Sequence, residues 1–287
     1  MVQLRKFLTV LKTATKEWWK RDPFKESAII AYYAIFSLPG LLVVIVTVAG
    51  YFFGQEAVNG QIAGQISSIM GDETAHQIEE IIAYGSESKK SIWATIIGII
   101  TILIGATGVF VQFQKSLNTI WEVKVESKSG ILYMLSSRLY SFGLILAIAF
   151  VLIVSLVISS VLMVFGAWVT KHFSESFLII IQLMNYIVSL GILAALFALM
   201  FKIFPDAKIK WRYVWIGALL TAILFEIGKF ALGLYFGKAN PGSGYGAAGS
   251  LILIMLWVSY STMIVFYGAE FTHIYSQMKD GKNSNLK

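Results

Sequence analysis

Six long runs of apolar residues alternate with shorter polar segments along the chain. The runs cover approximately residues 28–53, 92–113, 139–165, 177–201, 213–236 and 250–271. A helix needs about 20 apolar residues to cross the hydrocarbon layer of a membrane, and each run reaches that length. None of the runs carries more than two charged residues. The pattern predicts an all-α, polytopic membrane protein of six transmembrane helices.

The segment ahead of the first run has a different pattern, because its apolar residues recur at helical spacing. They are Leu4, Phe7, Leu8, Leu11, Ala14 and Trp18, with lysines and arginines around the rest of the circumference. This predicts an amphipathic helix on the lipid headgroups within residues 1–27, or alternatively a cytoplasmic helix packed on the bundle. Residues 28–275 then form the transmembrane domain, and residues 276–287 form a polar cytoplasmic tail.

Composition supports a membrane location. Hydrophobic residues make up 57% of the 287 and charged residues 14%, with a mean hydropathy of +0.74. Roughly a quarter of the residues of a soluble domain are charged, so this chain has too little polar surface for water. It has no cysteine, which excludes disulfide bonds and thiolate metal sites.

Lysine and arginine are unevenly distributed between alternate connections. One side of the predicted membrane has 18 of them, and the other has only Lys89, Lys90, Lys171 and Lys238. Connections rich in these residues stay in the cytoplasm, and an even number of spans puts both termini on one side. We therefore predict a multi-pass protein of the bacterial cytoplasmic (inner) membrane with both termini cytoplasmic. Membrane lipids are its expected partners, including anionic lipid at the cytoplasmic face.

The first external connection, residues 54–91, is the longest and is acidic. Its two apolar stripes predict short helices separated by Gly71, with Asp72 as the cap of the second. The segment is either a lid packed on the bundle or a gate over a cavity. The connection between Gly237 and Gly249 is rich in glycine and predicts a tight turn before the sixth span.

Glu226 and Lys229 are the most informative ionisable residues, because they lie inside the fifth span. Each charge at this depth costs about 2.5–3.5 kcal/mol on insertion scales. A rise of about 1.5 Å per residue from Trp211 places Glu226 roughly 22 Å along the helix, a little past the midplane. Their spacing puts them on one face, within pairing reach. We expect them to face the bundle interior or a wet cavity, either as an ion pair that fixes helix register or as a substrate or proton site.

Ser37 and Pro39 lie about midway along the first span, followed by Gly40. Proline removes a backbone donor and clashes with the preceding turn. A helix broken near the midplane exposes backbone carbonyls and often marks a transporter site. These residues predict either a broken helix at a substrate site or a structural kink.

Polar residues near the predicted cytoplasmic ends of two spans complete the candidate site. Gln112, Lys115 and Asn118 recur every three residues after the second span, and Trp121 follows. They predict interhelical hydrogen bonds with an aromatic anchor, or a polar part of the substrate site. Glu270, near the end of the last span, is expected to reach water.

Small residues at four-residue spacing predict close helix packing. These pairs are Gly217 and Thr221, Gly233 and Gly237, and Ser155 and Ser159.

Soluble enzyme sites find no support in the sequence. Gly244, Gly246 and Gly249 satisfy the dinucleotide pattern G-x-G-x-x-G, but they join two membrane helices rather than a strand and a helix. The histidines fall in separate segments without metal-ligand spacing. We therefore expect no enzymatic activity, no catalytic residues, no cofactor, no metal and no nucleic-acid partner.

Motifs in order along nearly the whole chain carry a family resemblance. They are Ala31–Gly40, Gly105–Phe110, Leu117–Trp121, Phe204–Asp206, Lys210–Arg212, Gly217–Ala218, Tyr245–Gly246, Trp257 and Gly268–Glu270. This set resembles the YihY/BrkB family of bacterial inner-membrane proteins. The resemblance implies six membrane helices and links to virulence and envelope lipids. It also marks recurrent positions at Pro39, Asn118, Trp121, Pro205, Trp211, Lys229, Gly246, Trp257 and Glu270. The family's older label, ribonuclease BN, does not suit a chain without a cluster of metal ligands.

The leading hypothesis is a transporter or flippase of an amphiphilic, lipid-type envelope substrate, with no ATPase of its own. The candidate substrate or proton site comprises Glu226, Lys229, Pro39, Ser37, Gln112, Asn118 and Glu270. The alternative is a membrane scaffold for envelope biogenesis that works through the N-terminal helix and the basic connections. The sequence does not define the substrate, the coupling ion or the oligomeric state.

Overall fold

The computed structural model describes residues 2–70, 75–76, 79–80, 83, 92–123, 176–239, 241–242, 244–245 and 249–281. Seven helices with complete bounds lie in this part of the chain. They are α1 (Val2–Lys20), α2 (Pro23–Phe53), α3 (Gln55–Met70), α4 (Ile92–Ile120), α5 (Ser176–Ile203), α6 (Trp211–Ala239) and α7 (Gly249–Lys279). The all-helical prediction is confirmed for these residues. The third predicted span, 139–165, lies outside them.

Five of the helices correspond to predicted spans. Helices α2 and α4 contain the first and second, and α5, α6 and α7 contain the last three. Within the described residues, three segments are long and apolar enough to cross a membrane, namely Tyr186–Ile203, Trp211–Ala239 and Gly249–Lys279. A protein with several membrane-spanning helices is therefore confirmed, whereas the number six stays a prediction.

The long first connection begins with a helix, as predicted, since α3 follows α2 after Gly54. Residues 75–76, 79–80 and 83 are also helical, in the region of the second predicted helix. Gly71 and the predicted cap Asp72 lie outside the described residues.

Helix α2 runs without interruption through Pro39, so the broken-helix alternative is wrong, whereas the structural-kink alternative stays a prediction. Proline removes only one backbone donor, and a membrane helix tolerates that loss when neighbouring groups compensate for it. The helical backbone is interrupted instead between α1 and α2. Asp22 has a φ of 53°, in the left-handed region, and Pro23 begins α2, where the missing N–H has no helical partner to lose.

The chain divides into two compact units, one of Met1–Glu17, Leu117–Leu224 and Tyr267–Lys287, the other of Trp18–Ser116 and Phe225–Phe266. In the first unit, α1 docks on the end of α7. Val10 and Ala14 are fully buried with Phe271 and Ile274, while Phe7 meets Phe271 edge to face at 5.6 Å. The apolar face of α1 is therefore packed on another helix, as the second of the two predicted alternatives has it. Contact between its basic face and lipid stays a prediction.

The first unit also contains a reciprocal glycine–threonine contact between α6 and α7. A Cβ atom added at Gly217 would lie 2.8 Å from Thr272 Cβ, and one added at Gly268 would lie 2.9 Å from Thr221 Cβ. Each threonine hydroxyl donates to the glycine carbonyl one turn earlier in its own helix, at 2.7 Å for Thr221 and 2.6 Å for Thr272. The packing predicted for Gly217 and Thr221 is confirmed.

In the second unit, glycines bring α2 close to α4. A Cβ atom at Gly105 would lie 2.8 Å from the backbone nitrogen of Ser37, and one at Gly108 would overlap the ring of Tyr33. Helix α2 also meets α7, where the hydroxyls of Ser27 and Ser259 share a hydrogen bond of 2.8 Å. These contacts fix α2 between two other helices of its unit.

The glycine-rich connection is shorter than predicted, because α6 continues through Gly237 to Ala239. No atom lies within 4 Å of a Cβ added at Gly237, so the close packing predicted for this residue is wrong among the described residues. The turn depends on Gly242 and Gly249 instead. A Cβ atom at Gly242 would lie 3.1 Å from the carbonyl oxygen of Gly249. The predicted pair Ser155 and Ser159 lies outside the described residues.

Candidate functional site

Glu226 and Lys229 form the predicted ion pair on α6. Lys229 Nζ lies 2.7 Å from Glu226 Oε2 and 3.0 Å from Oε1. Counting from Trp211, Glu226 is the sixteenth of the 29 residues of α6, which places the pair at mid-helix. Both charges belong to one helix, so the pair does not join α6 to another described helix. The register-fixing alternative and the substrate-site alternative both stay predictions.

The pair lies where the α7-facing side of α6 meets its exposed side. Phe225 packs on Trp257 of α7, with ring centroids 5.8 Å apart, and Gly228 lies against Tyr260. Lys229 follows Gly228 and stands one turn beyond Phe225, so its Cα is on the α7-facing side. Its side chain is nevertheless 40% exposed.

On the other flank of the pair, α6 presents large apolar side chains outward. Ile227 is 60% exposed and Phe230 is 70% exposed. Glu226 stands one turn before Phe230, and its side chain is 23% exposed. The pair is therefore neutral as a whole, reachable at both charges and bordered by an apolar surface. Whether it lines a wet cavity stays a prediction.

Ser37 and Pro39 do not join this pair. Ser37 is buried, donates to the carbonyl oxygen of Ala34 at 3.2 Å and lies beside Gly105. Its observed environment is the contact between α2 and α4. The backbone of Pro39 continues α2.

Gln112 belongs to a hydrogen-bond cluster between α4 and α2. Gln112 Nε2 donates to Glu26 Oε2 at 2.9 Å, and the Ser116 hydroxyl donates to the same oxygen at 2.6 Å. The predicted interhelical hydrogen bonding is confirmed. Glu26 and Ser116 were not predicted as members of this cluster, although an acidic residue in the first turn of a helix is a recognisable signal.

Asn118 forms a two-point clamp with the turn between α5 and α6. Its Nδ2 donates to Asp206 Oδ2 at 2.8 Å, and its Oδ1 accepts from the backbone nitrogen of Asp206 at 2.8 Å. Asn118 and the neighbouring Pro205 are buried. One turn further along, the ring of Trp121 stands edge-on to that of His273, with centroids 4.9 Å apart. Lys115 is exposed.

Glu270 is buried, with only 1% of its surface exposed, so the prediction that it reaches water is wrong. Two neighbouring helices cover this end of α7. Helix α1 packs on Phe271, and α6 packs on Gly268 and Thr272. A span end that looks interfacial in the sequence is therefore enclosed by tertiary contacts.

A surface cluster that was not predicted from the sequence links the start of α6 to the end of α7. Asp280 Oδ1 accepts from Lys210 Nζ at 2.7 Å and from the Tyr213 hydroxyl at 2.6 Å. The hydrogen bond from Lys210, and to a smaller extent that from Tyr213, holds the pKa of the Asp280 carboxyl below its ordinary value. Lys210 and the guanidinium of Arg212 also lie over the ring of Tyr213.

The lowered pKa of Asp280 predicts a pH-dependent contribution to stability. A carboxyl group with a depressed folded-state pKa stabilises the fold above its unfolded pKa of about 3.9 and stops doing so as pH falls through the folded value. We expect Asp280→Asn to lower the thermal midpoint modestly at pH 7. The difference from wild type is expected to disappear as pH falls through the lowered folded-state pKa of Asp280. Melting curves of both proteins across this range check it, and an unchanged difference at low pH would contradict it.

The described residues contain no group of three or more histidine, aspartate or glutamate residues positioned to hold a metal ion. Of the recurrent positions, Trp211 is exposed with Lys202 over its ring at 5.8 Å. Gly246 lies outside the described residues.

Comparisons place the chain among membrane proteins. The Virulence factor BrkB family matches residues 14–287. A UPF0761 membrane protein of Saccharophagus degradans is 24% identical over 89% of this chain and 57% of its own length. One of Verminephrobacter eiseniae is 26% identical over 76% of this chain and 49% of its own length. A UPF0761 membrane protein of Pseudoalteromonas atlantica is 26% identical over 85% of this chain and 78% of its own length.

The chain thus spans about half the length of the first two relatives. No solved structure matches it. The family match covers nearly all of the chain, including every described helix from α2 onward. The chain therefore belongs to the virulence factor BrkB family of membrane proteins.

Proposed function

We propose that this protein is a transporter or flippase that moves an amphiphilic, lipid-type envelope molecule across the bacterial cytoplasmic membrane. It does so without an ATPase of its own and without enzymatic chemistry. In this proposal six helices span the membrane, both termini are cytoplasmic, and residues 1–27 and 276–287 flank the transmembrane domain. The headgroup of the substrate passes the Glu226–Lys229 pair on α6.

One observation carries the proposal, namely a mid-helix ion pair whose two side chains remain partly exposed. Charges at this depth are expensive, and a membrane helix keeps them where they pair or meet a polar pathway. Among the described helices, this pairing links α6 to no second helix, so holding two of those helices together does not account for the two charges. A polar headgroup that crosses the hydrocarbon layer is costly without hydrogen-bond or charge partners, and such groups midway would lower that cost.

Reconstituted vesicles test the proposal. A phospholipid with a fluorescent acyl chain is placed in both leaflets, and a membrane-impermeant reductant bleaches the outer leaflet. Wild-type protein is expected to expose the inner pool to bleaching. Glu226→Gln combined with Lys229→Met is expected to slow this exchange about tenfold or more, since a charge-assisted hydrogen bond contributes about 1.5–3 kcal/mol.

The double variant removes both charges together, so no unpaired charge remains to destabilise the fold. Lys238→Met is the matched control, because Lys238 is an exposed lysine in the last turn of the same helix. Equal exchange by the double variant and wild type, or no exchange by folded wild-type protein, would overturn the proposal.

A scaffold is the second candidate, favoured by the docking of α1. Its apolar face is occupied by α7, which leaves exposed lysines such as Lys12 and Lys16 facing outward. Replacing both by glutamate changes that surface without touching Val10 or Ala14. In cells, a scaffold would lose function in this variant and keep it in the Glu226 and Lys229 double variant. A transporter would show the reverse.

A further inference from the structure

The Glu226–Lys229 pair presents both signs of charge at one place. Lys229 Nζ and the Glu226 carboxylate lie 2.7 Å apart, and both side chains are partly exposed. Among the described residues, each of these two side chains has the other as its polar partner. A substrate headgroup that binds here must therefore compete with an existing ion pair. The charges of the headgroup decide whether it can replace that pairing.

A headgroup with one charge fits the pair poorly. A phosphate alone would draw Lys229 away from Glu226 and leave the carboxylate without compensation in the middle of the membrane. Leaving one member of a buried pair uncompensated is strongly unfavourable. A headgroup with a phosphate and an amine replaces the single ion pair by two ion pairs. The phosphate pairs with Lys229, and the amine pairs with Glu226. The total charge stays zero throughout.

The apolar border of the pair indicates that the visitor keeps its acyl chains in the bilayer. Ile227, Phe230 and Leu234 are exposed large hydrophobic residues within two turns of the pair on the same helix. A water-soluble zwitterion would leave this surface unused. Two acyl chains can lie against it while the headgroup reaches the charges.

We propose that the substrate is a zwitterionic phospholipid whose headgroup carries a phosphate and an amine, and whose acyl chains stay beside the exposed face of α6. This inference rests on the proposed function and adds the substrate class. Lys229 holds the phosphate, and Glu226 holds the amine. Glu226 is the specificity-determining residue. When Lys229 binds a headgroup that carries only a negative charge, the carboxylate of Glu226 loses its partner.

Leaflet exchange with two acyl-labelled probes tests the inference. Wild-type protein is expected to move phosphatidylethanolamine about tenfold faster than phosphatidylglycerol, which corresponds to one uncompensated interaction of about 1.4 kcal/mol. Glu226→Gln is expected to reverse the preference, since Lys229 alone favours an anionic headgroup. The exchanged double variant Glu226→Lys with Lys229→Glu is expected to keep the wild-type preference.

The outcomes separate the two levels of the proposal. No movement of either lipid by folded wild-type protein would overturn the transport function itself. Equal movement of both lipids, or an equal loss of both in Glu226→Gln, would overturn only the substrate class. A third arm loads the vesicles with glycerophosphoethanolamine, the soluble form of the headgroup. Its release by wild-type protein would show that acyl chains are not required and would overturn the lipid assignment.

Discussion

Replacing Gly217 by leucine is expected to lower the thermal midpoint of the detergent-solubilised protein by about 5–10 °C. The new Cβ would lie 2.8 Å from Thr272 Cβ, so α6 and α7 must separate to admit it. Overpacking a close contact costs about 1–3 kcal/mol, and a chain of this size loses roughly 2–4 °C for each kcal/mol. Gly268→Leu, at the reciprocal position against Thr221, is expected to have an effect of similar size.

Gly237→Leu is the matched control, because it makes the same change in the same helix where nothing lies within 4 Å of the added Cβ. Both substitutions gain the higher helix propensity of leucine, so the difference between them reports packing alone. Thermal unfolding followed by intrinsic fluorescence measures it. Equal midpoints for Gly217→Leu and Gly237→Leu would show that α6 and α7 are not held together at this contact.

Asn118→Leu is expected to destabilise the protein by about 2–4 kcal/mol, a second large effect. The substitution removes both hydrogen bonds between Asn118 and Asp206. The backbone N–H and the carboxylate of Asp206 then lose the side-chain amide as their partner. A hydrogen bond contributes about 0.5–1.5 kcal/mol, and one to a charged group about 1.5–3 kcal/mol, so the two lost bonds account for this cost. The end of α4 would then be released from the turn that precedes α6.

A double-mutant cycle isolates this clamp from general effects of the substitution. Asp206→Ala removes the carboxylate but keeps the backbone bond, so its cost is expected to be smaller than that of Asn118→Leu. Combining the two is expected to give less than the sum of the single effects. Val111→Ala, at an exposed position on the same helix, is the control. Additive costs for Asn118 and Asp206 would contradict the clamp.

Features that depend on one helix were predictable from the sequence. The pairing of Glu226 with Lys229 follows from three-residue spacing alone, and the first residues of α5, α6 and α7 lie close to the starts of their apolar runs. The end of α7 was not predicted, because this helix continues past residue 271 to Lys279. The close-packing role of Gly217 and Thr221 was also visible. The residues they meet were not, because Gly268 and Thr272 become neighbours only when two helices adopt a definite register.

Contacts between distant segments explain the remaining differences. Glu270 is enclosed because α1, more than 250 positions earlier, docks on α7, and no local pattern contains that information. The partners Glu26 of Gln112 and Asp206 of Asn118 are likewise separated from them by 86 and 88 positions. Pro39 shows the opposite error, since a strong local helix-breaking signal is overridden within α2. Long-range packing decided the burial of Glu270 and the partners of Gln112 and Asn118.

The confinement of the Glu226–Lys229 salt bridge to α6 has a mechanical consequence. An ion pair shared between two helices must be broken before either helix can slide or rotate past the other. Here the oppositely charged atoms travel together, so a rigid displacement of α6 keeps them 2.7 Å apart at every stage. This salt bridge would therefore not have to break if α6 were displaced as a rigid body.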